Sequence, residues 1–84
     1  MKYRIEMEPL AGRYVVALKN PETGDLVKVF TVNASAAEMI RLYRDGLDIE
    51  AITQVISLKY GVPSVRVRTD VDALLNKLDA VDQK

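Results

Sequence analysis

The side chains in this sequence that could carry a reaction are few. Ser35, Ser57 and Ser64 could act as nucleophiles only beside a base, and neither histidine nor cysteine occurs in the 84 residues. Their absence removes imidazole proton transfer at neutral pH, all thiolate chemistry and the two principal ligands of transition metals. Each serine also has a plainer place as a helix cap or on a helix face. The carboxylates Asp70, Asp72, Asp79 and Asp82 cluster near the end of the sequence, but they lack the ligand spacing and central glycine of a calcium loop, and a solvated helix face accounts for them. Gly12, Gly24, Gly46 and Gly61 stand singly, at turns, rather than in a phosphate-binding run. The expectation is a chain with no catalytic residues, no metal and no cofactor, whose work is binding.

The elements that would carry a binding surface follow from the periodicity. Tyr3, Ile5 and Met7 alternate with Arg4, Glu6 and Glu8, the pattern of a strand with one wet face. Pro9-Leu10-Ala11-Gly12 reads as a turn, and Arg13 to Leu18 as a second strand. Asn20-Pro21-Glu22-Thr23-Gly24-Asp25 is a strong loop signal before a third strand, Leu26 to Val32. Three consecutive strands with short connections predict an antiparallel meander.

After Val32 the period becomes helical. Asn33 or Ser35 can cap a first helix, Ser35 to Glu38 fitting a capping box, with Ala36, Ala37, Ile40 and Tyr43 on its apolar face and Asp45-Gly46 at its end. Asp48 caps a second helix whose buried face is Ile49, Ile52, Ile56 and Tyr60, and Gly61 stops it. A third helix is placed from Ser64, with Thr69 as the alternative start, and carries Val67, Val71, Leu74, Leu75 and Leu78 on one stripe. Asp82-Gln83-Lys84 is expected to fray. The fold class is α+β: a small winged helix-turn-helix domain in which a three-stranded meander precedes three helices, one domain over residues 1–84.

Twelve basic residues balance twelve acidic ones. DNA-binding domains usually show a basic excess, because phosphate neutralisation supplies much of their affinity. The N-terminus mixes charge with apolar bulk from the start, unlike a signal peptide, and no stretch approaches the ~20 apolar residues of a spanning helix. The cytoplasm is the expected compartment.

The sheet edges are the more informative surface. Strand one carries Arg4, Glu6 and Glu8, charges that discourage another strand from adding to an edge. Strand three, Leu26-Val27-Lys28-Val29-Phe30-Thr31-Val32, carries a single charge at Lys28. An edge that apolar calls for a cover: the domain's own helices, a second copy or an added peptide strand.

The segment Phe30-Thr31-Val32-Asn33-Ala34-Ser35-Ala36-Ala37-Glu38-Met39-Ile40 resembles the strand end and helix start of PqqD-like proteins. Tyr43-Arg44-Asp45-Gly46-Leu47-Asp48-Ile49-Glu50-Ala51-Ile52 is similar to their Asp-Gly turn and second helix. Tyr60-Gly61 and Asp70-Val71-Asp72-Ala73-Leu74-Leu75-Asn76-Lys77-Leu78 are similar to their third helix. The likeness runs from about Gly12 to Leu78. It implies a winged helix-turn-helix peptide chaperone, a recognition element that binds the leader of a ribosomally made precursor peptide and delivers it to a modifying enzyme, typically a radical SAM enzyme. It also implies that the leader adds as a strand beside Val27, Lys28, Val29, Phe30 and Thr31, in a groove against the flank of Ser64 to Leu78. On that flank Asp70, Leu74 and Lys77 are spaced as helix neighbours. Lys77 and Asp70 could meet leader charges and Leu74 an apolar residue, although packing and solvation also explain all three.

The rival class is a winged-helix DNA-binding regulator, with Arg66 and Arg68 at the start of a recognition helix. Asp70 and Asp72 follow at once and would repel phosphate. A homodimer closed through strand three is compatible with either class. Binding to duplex DNA is therefore expected to be weak and insensitive to sequence in a gel-shift titration at physiological salt; submicromolar, sequence-selective binding would favour the regulator instead.

Overall fold

Strands β1 (Arg4–Leu10) and β2 (Arg13–Lys19) are connected by Ala11 and Gly12 alone, and both sit at positive φ, 50° and 82°. Positive φ at both central residues is what a type I′ hairpin turn demands, and its twist matches that of the flanking strands. Leu10 and Arg13 face each other across it. The sequence places a turn over Pro9 to Gly12; in this computed structural model, which describes residues 3–80, Pro9 and Leu10 instead belong to β1. Pro9 is tolerated because β1 is an edge strand and proline has no N–H to offer the ladder. Tyr3 precedes the strand and packs against the core.

Strand β3 (Leu26–Val32) pairs antiparallel with β2, giving the order β1-β2-β3. The connection is held by Asn20, whose side-chain oxygen accepts from the N–H groups of Glu22 (2.8 Å) and Thr23 (3.3 Å), with Gly24 at φ 77°. Leu18 faces Lys28 whereas Lys19 faces Leu26, so Val27 is a bulge with no residue opposite. Ile5, Val16, Leu18 and Val32 are buried against the helices, and the other sheet face is open.

Helix α1 (Ala34–Arg44) is capped by Asn33, whose side chain accepts from the Ala36 N–H at 2.9 Å. Of the two caps the sequence offered, Ser35 is therefore inside the helix, and its hydroxyl donates to Asn33 Oδ1. Glu38 does not complete a capping box. Its carboxylate is taken by Arg41 and, at 3.2 Å, by Lys59 of the next helix. The Arg41 guanidinium holds the Glu38 carboxyl below the usual glutamate range, aided by Lys59 and opposed by partial burial. Met39 and Leu42 join Ala37 and Ile40 in the core, and Tyr43 is half-buried.

Helix α2 (Ile49–Tyr60) begins at the Asp48 cap, which accepts from Ala51 N–H at 2.9 Å, and ends at Gly61 with φ 65°. Ile52 and Ile56 are buried and Ile49 half-buried, but Tyr60 is 42% exposed with Lys59 over its ring. The left-handed turn at Gly61 leads the chain away before the last turn of α2 can be covered. Thr53 is buried instead, its hydroxyl donating to Ile49 C=O at 2.7 Å.

Helix α3 (Ser64–Ala80) starts at Ser64, where the Pro63 carbonyl accepts from Arg66 and Val67 at 3.1 Å. Thr69 lies within the helix and its hydroxyl returns to Val65 C=O. Val67, Val71, Leu75 and Leu78 are buried and Leu74 half-buried. Asp82-Gln83-Lys84 lies outside the described residues. No helix among those described is long and apolar enough to cross a membrane.

Two local features carry measurable stability. Asn33→Ala and Asp48→Ala should each cost about 1 kcal/mol in urea unfolding, and Ser35→Ala only a few tenths, about the value of an exposed helix-face change. Ala11→Asn should stabilise by about 1 kcal/mol, because an L-residue with a plain Cβ is strained at positive φ and Asn less so.

Candidate functional site

The tight Ala11–Gly12 turn sets the phase of hydrogen bonding across the whole sheet. A two-residue hairpin closes on a hydrogen-bonded pair, Leu10 with Arg13, and bonded and non-bonded pairs alternate from there. Arg13, Val15, Ala17 and Lys19 thus direct their backbone groups to β1, and Tyr14, Val16 and Leu18 direct theirs to β3. On β3 the bonded residues are Val32, Phe30 and Lys28, the partners of those three. The backbone N–H and C=O of Val29 and Thr31 consequently point outward from the sheet, along the free side of β3.

The same phase turns the C=O of Ile5 outward on the opposite edge. There it accepts from the Arg44 guanidinium at 3.1 Å. The β1 edge is further blunted by Pro9 and by Glu6, whose carboxyl is paired with Lys19 at 3.0 Å and pulled below its usual range by that contact. Among the described residues no comparable contact reaches the outward groups of Val29 or Thr31.

Side chains on β3 divide by face. Lys28 and Phe30 stand opposite the buried Leu18 and Val16, on the helix side; Val29 and Thr31 stand opposite Ala17 and Val15, on the open side. Val29 is 50% exposed. For Val29 and Thr31 the edge thus offers backbone alone, while Lys28 and Phe30 face α3. Lys77 of α3 completes the connection, its ammonium 4.5 Å from the centre of the Phe30 ring, with that of Lys28 at 5.9 Å on the same ring. Neither lysine has a carboxylate in ion-pairing range among the described residues.

Beyond Phe30, where β3 passes into α1, a groove of about 370 Å³ opens between α1 and α3. Ala36 and Met39 line one wall, Asp70, Leu74 and Lys77 the other, with Asn33 beside them. Asp70, Leu74 and Lys77 are thus brought to one groove, which Lys77 joins to the β3 edge. Leu26 and Val27, at the bulged start of the strand, are farther along. Sequence reasoning missed Ala36, Met39 and Asn33 as groove residues. The first helix was read only as core, and its placement against α3 is not written in its own spacing.

No group of three or more metal-ligating side chains forms among the described residues. At the start of α3, Arg68 is paired with Glu50 of α2 at the surface.

Comparison with known proteins agrees with this architecture. No curated protein matches the sequence. The fold is similar to that of TbiB1, solved in complex with the TbiA(beta) leader peptide, with a TM-score of 0.70 and 21% sequence identity over 98% of this chain and 92% of that one. The family model described as coenzyme PQQ synthesis protein D (PqqD) matches residues 16–82, from the middle of β2 through the whole of α3. By that match across most of its length, the chain belongs to the PqqD family.

Proposed function

We propose that this protein is a non-catalytic peptide-binding module that takes the leader of a ribosomally made precursor peptide as an added strand on β3 and presents it to a modifying enzyme. The carrying observation is the free edge of β3, whose outward backbone groups at Val29 and Thr31 lie beside the groove walled by α3. Family membership supports the reading, as does the similar fold of TbiB1, which was solved with a leader peptide. In this reading the enzyme is of the radical SAM class and the complex works in the cytoplasm. The protein contributes no reacting group in this reading, since its serines lack a histidine and no group of acids gathers into a site among the described residues.

Backbone bonding to an edge gives affinity with little dependence on sequence, each bond adding about 1 kcal/mol net. Selectivity must then come from the helix side of the strand, where Lys28, Phe30, Leu74, Lys77 and Asp70 stand. Val27 and Thr31 flank the contact as edge residues.

The ladder phase makes the test specific. Val29→Pro removes an N–H that points to the free edge, so the variant should keep its circular dichroism spectrum and lose leader binding in calorimetric titration. Phe30→Pro and Lys28→Pro remove bonds to β2 and should damage the fold. The ligand titrated is the leader of a candidate precursor peptide encoded near this protein's gene. If the folded Val29→Pro variant binds it like the unaltered protein, the peptide does not dock on β3.

A further inference from the structure

The two lysines at Phe30 define what the bound peptide must carry. Both ammonium groups lie within 6 Å of the centre of one ring, at 4.5 Å and 5.9 Å, and so cannot be farther apart than about one Debye length. Among the described residues no carboxylate pairs with either. Phe30 offers both a weak cation–π attraction that holds them in place. A carboxylate brought to this segment would meet two cations that have no anionic partner of their own among the described residues.

Resting on the peptide-binding reading above, we infer that the recognised leader carries an aspartate or glutamate opposite the Lys28–Phe30 segment of β3, clasped by Lys28 and Lys77. Geometry favours that position. If the peptide adds antiparallel, as every strand of this sheet does, it bonds at Val29 and Thr31, which makes the places opposite Lys28 and Phe30 non-hydrogen-bonded pairs. Side chains approach most closely in such pairs, with Cα atoms about 4.5 Å apart.

The charge order along the groove fixes what comes before the acid. Asp70 is two helical turns from Lys77, about 10 Å along α3, and would repel a second carboxylate at its end of the groove. That end is walled by Ala36, Met39 and Leu74 and lies past the C-terminal end of β3, where an antiparallel peptide enters with its N-terminal part. Residues on one face of a strand recur every second position. The leader therefore presents an apolar side chain about two or four residues before its acidic one, and the opposite order places an acid against Asp70.

The experiment is selection from a display library of random 20-residue peptides on the full-length protein and on the Lys28→Glu/Lys77→Glu variant, both checked by circular dichroism. Peptides enriched on the unaltered protein should share an acidic residue after an apolar one in this spacing. On the double variant the acidic position should change to Lys or Arg, and a selected acidic peptide should lose about tenfold in affinity, as expected when attraction across a rim becomes repulsion. Lys77→Arg should keep the acidic preference. Enriched peptides without that preference, or with one that the double variant does not alter, would overturn this inference while leaving peptide binding in place. If nothing is enriched on the unaltered protein, both the inference and the peptide-binding reading fall.

Discussion

A sheet of three strands has two free edges, and which backbone groups those edges expose depends on the hydrogen-bonding phase. Here the phase is fixed by two residues, Ala11 and Gly12, whose positive φ angles close β1 onto β2 at Leu10 and Arg13. Everything outward follows from that closure. Ile5 turns its carbonyl to Arg44, Pro9 falls in a non-hydrogen-bonded pair where its missing N–H costs nothing, and Val29 and Thr31 turn their backbone toward the free side of β3. One strained residue at the hairpin thus determines, some eighteen positions later, where another strand can attach.

Most of the element order was legible because its signals are local. Asp48 and Gly61 mark their helix ends by chemistry that does not depend on the rest of the fold, and Pro63 forces a break whose carbonyl then starts α3. What escaped reading depends on distant packing or on exact turn length. Tyr60 has the spacing of a core residue, yet the path of the chain after Gly61 leaves nothing to cover it. Pro9 and Leu10 look like turn formers, and only the pairing with Tyr14 and Arg13 reveals them as strand. Strand β3 was recognisable as an unblunted edge from its composition, and Asp70, Leu74 and Lys77 as helix neighbours. That Ala36 and Met39 would face them is a consequence of how α1 lies against α3, which no local pattern encodes.

The two edges are treated differently. On β1 a proline, the Glu6–Lys19 pair and the Arg44 bond leave little for another chain to use. On β3 the bulge at Val27 disturbs the ladder at one end, and the entry to α1 limits it at the other. Between these lies a short stretch around Val29 with backbone groups unused by the domain, long enough for a few bonds and too short for an extended cross-β stack.

The lysines at Phe30 supply the remaining protection. If two copies of the protein paired through β3 about a two-fold axis at Val29, Lys28 of each would lie opposite Phe30 of the other. Each ring already holds two ammonium groups, so four cations would gather around two adjacent rings with no carboxylate between them. Like charges placed opposite each other across strands are destabilising, and here each has a second beside it. An acidic strand meets the reverse situation at the same position, since its carboxylate answers both cations. In the proposed reading the arrangement of Lys28, Phe30 and Lys77 would act twice, opposing self-pairing through β3 and favouring a foreign strand of opposite charge.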